Sequence, residues 1–227
     1  YLGWRAVRVS LDNIDFFKIQ LRAILRASVN RNVRVMFPMI SVFEELKKAN
    51  SIFNEVKSDL KKAKIDFDDH IQVGIMVETP SAAIMSAHLA SHVDFFSIGS
   101  NDLTQYVLAV DRGNERVSHL FDHFHPAVLQ LIKQVVDAGH KAHIWVGLCG
   151  ELAADPLAIP LLIGCGIDEL SMSPAAIPKA KMMLRALTIP QCEVIAARAM
   201  EFRTAVEVKN FLRRTIIKEF PSTEGII

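Results

Sequence analysis

The sequence predicts an α/β fold built on a parallel sheet. Short apolar runs alternate with longer amphipathic stretches along most of the chain. The runs are rich in Val, Ile, Phe and Met on nearly every residue, which is the pattern of strands buried on both faces. A regular alternation of strand and helix indicates parallel strands joined by right-handed helical crossovers. The pattern alone leaves two architectures open, a doubly wound open sheet or part of a (β/α)8 TIM barrel.

Six runs are predicted as strands, with helices between and after them. The predicted strands are 6–9, 33–39, 71–77, 93–99, 144–148 and 169–172. The predicted helices are 12–27, 41–64, 80–90, 103–110, 126–138 and a helical region from about 174 to 220, followed by a tail at 221–227. Thr79 as N-cap and Pro80 at the first helical position predict one helix start, and Gly139 predicts one helix end. A complete barrel has eight strands, so the barrel alternative implies an N-terminally truncated domain, 1–227, with about six of eight strands.

Composition limits the class of protein more than it identifies one. A chain of 227 residues with 51% hydrophobic content can bury one sizeable core. A formal net charge of +1 gives no electrostatic indication of a nucleic-acid or membrane partner. Three widely separated cysteines make no disulfide framework and favour a reducing, cytoplasmic compartment. A start on Tyr1 rather than Met predicts that further sequence precedes it.

Polar side chains follow three of the predicted strands at the point where each ends. These residues are Glu78, the pair Asn101 and Asp102, and Cys149. Because ligands of parallel α/β folds bind beyond the carboxyl ends of the strands, we expect these side chains to share one site. Two carboxylates without a neighbouring His or Cys cluster favour a hard cation such as Mg²⁺, which takes one or two protein carboxylates.

Each of these polar residues also has a purely structural interpretation. Glu78 could simply complement a helix N-terminus, and Asn101 or Asp102 could cap the helix that follows. Arg5 and Arg112 could form ordinary surface ion pairs, although guanidinium groups are also the usual partners of phosphate and carboxylate. The joint occurrence of the polar residues at strand ends favours a site.

Cys149 lies between Gly147 and Gly150 at the end of an apolar run. A lone cysteine is ordinarily a small buried hydrophobe, and we interpret Cys165 and Cys192 in that way. The two glycines change the expectation for Cys149, because glycine permits close approach of a backbone to a ligand. A thiol in such a place can act as a nucleophile or as a general acid.

Three histidines, His119, His123 and His125, lie close together in one predicted loop. Their spacing matches no usual zinc motif, and no cysteine accompanies them. A structural loop is therefore favoured over a zinc site.

Several segments in chain order resemble one known family. They are "GWRAVRV", "LRAILRAS", "VMFPMI", "GIMVETPSAA", "VDFFSIGSNDLTQYVLAVDRGN" and "VGLCGELAADP". Together they resemble the C-terminal half of the enzyme I family, the phosphoenolpyruvate-protein phosphotransferases of the bacterial sugar phosphotransferase system. The resemblance runs from residue 1 to about 215, and the 22-residue segment 93–114 is its longest motif.

The resemblance implies a (β/α)8 TIM barrel that binds phosphoenolpyruvate with Mg²⁺. In that family the residues matching Glu78 and Asp102 hold the metal, and the residue matching Asn101 contacts the phosphate. The residues matching Arg5 and Arg112 hold the anionic groups of the substrate. Two further arginines of the family's phosphate grip would precede the first residue of this chain.

The resemblance also implies a reaction and its partners. Cys149 matches the proton donor to C3 of the enolpyruvate, which becomes pyruvate. The phosphoryl group would pass to a histidine on a separate N-terminal domain and from there to the phosphocarrier protein HPr, and the barrel would form a homodimer. Two alternatives stay open: the more distantly similar barrel of pyruvate phosphate dikinase or phosphoenolpyruvate synthase, and a dimerisation module without activity of its own.

Overall fold

The computed structural model describes residues 2–226 as a parallel sheet of five strands surrounded by helices. Tyr1 and Ile227, which the predicted domain includes, lie outside the described residues. The strands are β1 Val35–Phe37, β2 Val73–Val77, β3 Phe95–Gly99, β4 Trp145–Cys149 and β5 Glu169–Ser171. Their order across the sheet is the same as their order along the chain, and every neighbouring pair is parallel.

Helices connect the strands and continue beyond the last of them. They are α1 Val7–Asp12, α2 Ile14–Ala27, α3 Phe43–Lys62, α4 Pro80–Ile84, α5 Ser86–Leu89, α6 Ser100–Leu108, α7 Pro126–Lys141, α8 Glu151–Ala154, α9 Ile159–Cys165, α10 Ile177–Ala186, α11 Ile189–Ala199 and α12 Ala205–Glu219. No helix in the described part of the chain is long and apolar enough to cross a membrane.

The strand order can be compared with the two sheet architectures left open by the sequence pattern. A doubly wound sheet reverses its strand order at a switch point, whereas this sheet adds each new strand on the same side. Ile75 of β2 lies opposite both Phe37 of β1 and Phe96 of β3, so the register is continuous across the sheet. This five-stranded parallel sheet is consistent with part of a (β/α) barrel.

The core lies between the sheet and the helices. Helix α3 buries a stripe of residues spaced three or four apart, among them Leu46, Phe53 and Leu60. Helix α7 packs against β3 and β4, where Val146 and Leu148 are fully buried. The burial of both the strand face and the helix stripes holds the strand ends in fixed positions, and those ends carry the candidate site.

The predicted strand 6–9 is wrong. These residues lie at the start of α1, where Val7 and Leu11 are buried one helical turn apart. A four-residue apolar run fits a strand and a helix equally well, and only its neighbours decide. The sheet of the described residues consequently has five strands rather than the predicted six.

Several helices also differ from the predictions. The predicted helix 80–90 is two helices, α4 and α5, because Met85 between them leaves the helical conformation. Helix α7 continues past Gly139 to Lys141, and a Cβ on Gly139 would lie 2.4 Å from Val146 Cγ2. That glycine therefore permits close packing of α7 on β4 rather than ending the helix. The segment predicted as a tail forms a 3₁₀ helix, Pro221–Ile226.

Gly164 brings α9 and α11 into backbone contact. A Cβ at this position would lie 1.9 Å from the carbonyl oxygen of Cys192. Since backbone atoms cannot move aside, we expect Gly164→Ala to lower the free energy of unfolding by about 3 kcal/mol or more. Urea denaturation measures the loss, with Gly225→Ala as the control because no atom lies within 4 Å of its added Cβ. Equal stability of the two variants would contradict the observed backbone contact between α9 and α11.

Candidate functional site

The carboxyl ends of β2, β3 and β4 lie side by side and carry the predicted polar residues. Glu78 follows β2 directly, Asn101 and Asp102 lie in the first turn of α6 after β3, and Cys149 is the last residue of β4. Gly99 and Cys149 are register partners on adjacent strands. The parallel sheet therefore gathers these side chains at one edge, as the sequence predicted.

Glu78 is a buried carboxyl group held by a backbone donor. It is 4% exposed, and its Oε1 accepts a hydrogen bond of 2.7 Å from the backbone N–H of Met39. Burial raises the pKa of Glu78 to about 7; the Met39 hydrogen bond and the charge of Arg5 act in the opposite direction, while the Asp102 carboxylate adds to the rise. Gly99 makes room for this group, since a Cβ there would lie 2.8 Å from Glu78 Oε2.

Asp102 lies between two guanidinium groups. Its Oδ2 is 3.6 Å from Arg5 Nη2, and its Oδ1 is 3.5 Å from Arg112 Nη2. The two arginines come from distant parts of the sequence, one from the segment before α1 and the other from the loop after α6. Arg5 therefore precedes a helix rather than the predicted strand 6–9, but it reaches the predicted site.

Glu78, Asn101 and Asp102 are not helix N-caps. Thr79, not Glu78, caps α4: its Oγ1 accepts a hydrogen bond from the backbone N–H of Ala82. The N-cap of α6 is Gly99, so neither Asn101 nor Asp102 is the cap. The predicted helix 103–110 begins three residues earlier, which places both side chains in its first turn.

Two residues of the site were not predicted from the sequence, Gln105 and Tyr106. Tyr106 Oη accepts a hydrogen bond of 3.1 Å from Arg5 Nη1, and burial raises the pKa of Tyr106. Gln105 Oε1 accepts a hydrogen bond of 3.1 Å from the backbone N–H of Arg112. Both lie three or four residues after Asp102 and so share its face of α6. That helical spacing is the signal that could have found them.

The loop after β4 is fixed by α6. Ser100 Oγ donates a hydrogen bond of 2.7 Å to the carbonyl oxygen of Cys149, and Asn101 Oδ1 accepts a weaker one of 3.4 Å from the backbone N–H of Glu151. Between them Gly150 has φ 109°, and a Cβ on it would lie 2.5 Å from Ser100 Oγ. Gly150 thus provides room for protein neighbours, whereas the sequence pattern suggested room for a ligand.

Cys149 is a half-buried free thiol. Burial raises its pKa, and the charges of Glu78 and Asp102 raise it further, while a hydrogen bond with the Ser97 side chain opposes the shift. A thiol with a raised pKa keeps its proton near neutral pH, so it is suited to donate a proton rather than to attack as a thiolate. A cavity of about 360 Å³ adjoins it, lined by residues that include Asn101 and Ser171.

Two of the loop histidines, His123 and His125, make hydrogen bonds to other protein groups. Thr104 Oγ1 and His123 Nδ1 are 2.8 Å apart, and His125 Nδ1 accepts a hydrogen bond from the backbone N–H of Ala127 at the start of α7. Within residues 2–226, no group of three or more His, Cys, Asp and Glu side chains could hold a metal ion.

The pair of acidic residues nevertheless suits a hard cation that takes only one or two protein carboxylates. Burial and the neighbouring Asp102 charge disfavour the ionised form of Glu78. A dication between the two groups would offset this penalty, and its remaining ligands would be water and substrate oxygens. The donor set of Glu78 and Asp102 therefore fits Mg²⁺.

Comparison with known proteins shows the family to which the chain belongs. Residues 1–189 match the family described as PEP-utilising enzyme, PEP-binding domain. The phosphoenolpyruvate-protein phosphotransferase of Haemophilus influenzae is 48% identical over 218 residues, covering 96% of this chain and 38% of the relative. The proteins of the same name from Geobacillus stearothermophilus and Bacillus subtilis are 47% and 46% identical over 215 residues, 95% of this chain and 37% and 38% of their own lengths. The chain thus spans well under half of these relatives.

Proposed function

The chain belongs to the family of PEP-binding domains of PEP-utilising enzymes, and we propose that it binds phosphoenolpyruvate with Mg²⁺ for phosphoryl transfer. One observation carries the proposal: Asp102 lies between Arg5 and Arg112 and its charge acts on the buried Glu78. Opposite charges are thereby concentrated where a substrate with two anionic groups and its cation would bind together. The names of the relatives favour a phosphoenolpyruvate-protein phosphotransferase over a dikinase or synthase.

The arginines provide the charge that the substrate requires. In the structure their guanidinium groups pair with Asp102 at about the upper limit of ion-pair distance. We assign Arg5 and Arg112 to the anionic groups of phosphoenolpyruvate, and Asn101 to its phosphate. Guanidinium groups bind carboxylate and phosphate oxygens with paired hydrogen bonds, so they orient the substrate as well as neutralise it.

Glu78 and Asp102 would hold Mg²⁺. When bound, the ion supplies Lewis-acid polarisation of the phosphate and neutralises charge that develops on the oxygens during transfer. The backbone N–H of Met39 fixes one oxygen of Glu78, which leaves the other available to a ligand. Positioning and charge neutralisation account for most of the catalysis of phosphoryl transfer.

Cys149 completes the reaction as the proton donor. Loss of the phosphoryl group to an acceptor histidine breaks the P–O bond and leaves the electron pair on the enolate of pyruvate. The S–H bond of Cys149 then breaks, and its proton forms a new C–H bond at C3, giving pyruvate and a thiolate that takes a proton back from solvent. The raised pKa of Cys149 keeps the thiol protonated for this step.

The whole protein would then begin a phosphorelay. We assign the acceptor histidine to a separate N-terminal domain, which passes the phosphoryl group to HPr in the sugar phosphotransferase system. The five strands would be consecutive strands of a (β/α)8 TIM barrel, and the barrel would form a homodimer in the cytoplasm. The single direction of winding of the sheet supports the barrel.

Titration calorimetry tests the binding proposal directly. Phosphoenolpyruvate titrated into the full-length protein should release or absorb heat with Mg²⁺ present and give no measurable heat in EDTA. Asp102→Asn is a second test, because it keeps the side-chain shape and removes one of the two carboxylate charges. We expect it to weaken binding by about two orders of magnitude. Equal heats with Mg²⁺ and in EDTA would contradict the proposed metal dependence.

A further inference from the structure

The turn after α6 is held at both ends by one residue, Gln105. Its backbone carbonyl accepts hydrogen bonds from the N–H groups of Ala109 and, at 3.0 Å, of Val110. Ala109 has φ 53°, which turns the chain sharply out of the helix. The side-chain oxygen of Gln105 then accepts the backbone N–H of Arg112 at 3.1 Å. The path of the chain from α6 to Arg112 is therefore fixed by a single residue.

Burial makes the Gln105 side-chain bond hard to replace. Gln105 is 3% exposed, so water has little access to the bond with Arg112. Its Nε2 atom is buried and has no hydrogen-bond partner within the part of the chain that the structure describes. A buried unpaired donor costs about 1–3 kcal/mol. Leucine or methionine would avoid this cost, so the amide is explained by the acceptor that it provides to Arg112.

The Asp102–Arg112 ion pair joins α6 to the loop that follows it. Asp102 and Gln105 lie three residues apart on α6 and therefore on one face. The guanidinium of Arg112 comes within 3.5 Å of Asp102 although ten positions separate the two residues in sequence. Gln105 belongs to α6 and binds the backbone of Arg112. The helix therefore sets the distance between the Asp102 carboxylate and the Arg112 guanidinium.

We propose that Gln105 is a positioning residue that sets the guanidinium of Arg112 for the anionic groups of the substrate. The inference rests on the proposed function, because it takes phosphoenolpyruvate as the ligand of Arg112. Gln105 itself need not touch the substrate. It acts through the backbone of Arg112, and its removal would leave a longer, less ordered loop at the edge of the site.

A double-mutant cycle measured by binding of phosphoenolpyruvate with Mg²⁺ to the full-length protein tests this inference. Gln105→Met keeps the bulk of the side chain and removes the acceptor, so we expect the Kd to rise about tenfold. Arg112→Ala should raise it further. Adding Gln105→Met to Arg112→Ala should change the Kd by less than about twofold, because the positioned group is already absent. A residue with a merely structural role would weaken binding equally in both backgrounds.

Two controls keep the result interpretable. Leu108→Ala, on the same helix and partly buried, lowers stability without touching the Arg112 bond and should leave the Kd within about twofold. Gln105→Asn retains the amide on a shorter side chain, and it should give the same coupling if Gln105→Met does not fold.

Additive effects of the Gln105 and Arg112 variants on the Kd would overturn the inference. An unchanged Kd in Arg112→Ala alone would overturn the substrate role of Arg112, and with it this inference.

Discussion

Replacing Glu78 by glutamine is expected to stabilise the metal-free protein at pH 8 and to abolish its Mg²⁺-dependent binding of phosphoenolpyruvate. The glutamine keeps the oxygen that accepts the Met39 N–H and removes the buried charge. A carboxyl pKa of about 7 in the folded state, against 4.5 as the ordinary value, corresponds to roughly 3 kcal/mol of destabilisation once the group is fully ionised. The site residue would thus be retained at a cost in stability.

The pH dependence follows from the direction of the Glu78 shift. Below about pH 4.5 the carboxyl is neutral in both the folded and the unfolded chain, so the wild-type protein and the Glu78→Gln variant should be equally stable. As the pH rises from 4.5 to about 7, the unfolded chain loses its proton first, and the wild-type protein loses stability relative to Glu78→Gln. Above about pH 7 the difference becomes constant.

Urea denaturation in EDTA at pH 5, 6, 7 and 8 would measure this difference, with calorimetry at pH 8 for the loss of binding. Glu151→Gln is the matched control, because its carboxyl lies beside the site but is exposed. We expect Glu151→Gln to leave the stability at pH 8 within about 0.5 kcal/mol of the wild-type value, as is usual for an exposed position. If Glu78→Gln were no more stable than wild type at pH 8, the burial penalty assigned to Glu78 would be wrong.

Cys149→Ala should separate the two halves of the reaction. In the proposed reaction, phosphoryl transfer to the acceptor histidine would need the metal ligands and the arginines but no proton on carbon, so its rate should change little. Formation of pyruvate on the enzyme should slow by about 10²–10⁴-fold, the usual contribution of a general acid. In the full-length protein, rapid quenching measures the phosphorylated enzyme, and a coupled assay for pyruvate measures the second step.

The control for Cys149→Ala is a second thiol variant, Cys165→Ala. Cys165 is buried in the core at the end of α9 and takes no part in the proposed chemistry, so both steps should proceed at the wild-type rate. An equal loss of both steps in Cys149→Ala would argue that this residue shapes the site rather than supplies the proton.

The strands were predictable where the apolar run was long and ended at a polar residue. The runs 71–77, 93–99 and 144–148 contain or overlap β2, β3 and β4, and the residues that follow them lie at one edge of the sheet. The run 6–9 gave a wrong strand although the equally short run 169–172 contains β5, because the pattern of four residues does not distinguish a strand from a helix. The decisive fact was that Leu11, beyond the run, joins Val7 in the core, which only tertiary packing reveals.

Most of the candidate site residues could be predicted from their positions at strand ends. The contacts that hold their side chains in place could not. Glu78, Asp102 and Cys149 could be predicted because each lies at or just after the end of a strand. The bond from the Met39 backbone to Glu78 joins residues 39 positions apart, and the backbone of Met39, at φ 57°, is unusual for a side-chain-bearing residue. Every residue except proline has a backbone N–H. The sequence alone therefore gives no indication of which of these groups will bind a distant side chain.

The environment of Cys149 also has a chemical consequence outside the reaction. Peroxides and electrophiles react with the thiolate rather than the thiol. Burial beside two acidic residues holds the pKa of Cys149 above its ordinary value, which keeps the reactive form scarce at neutral pH. The features that suit this sulfur to deliver a proton therefore also protect it from oxidation.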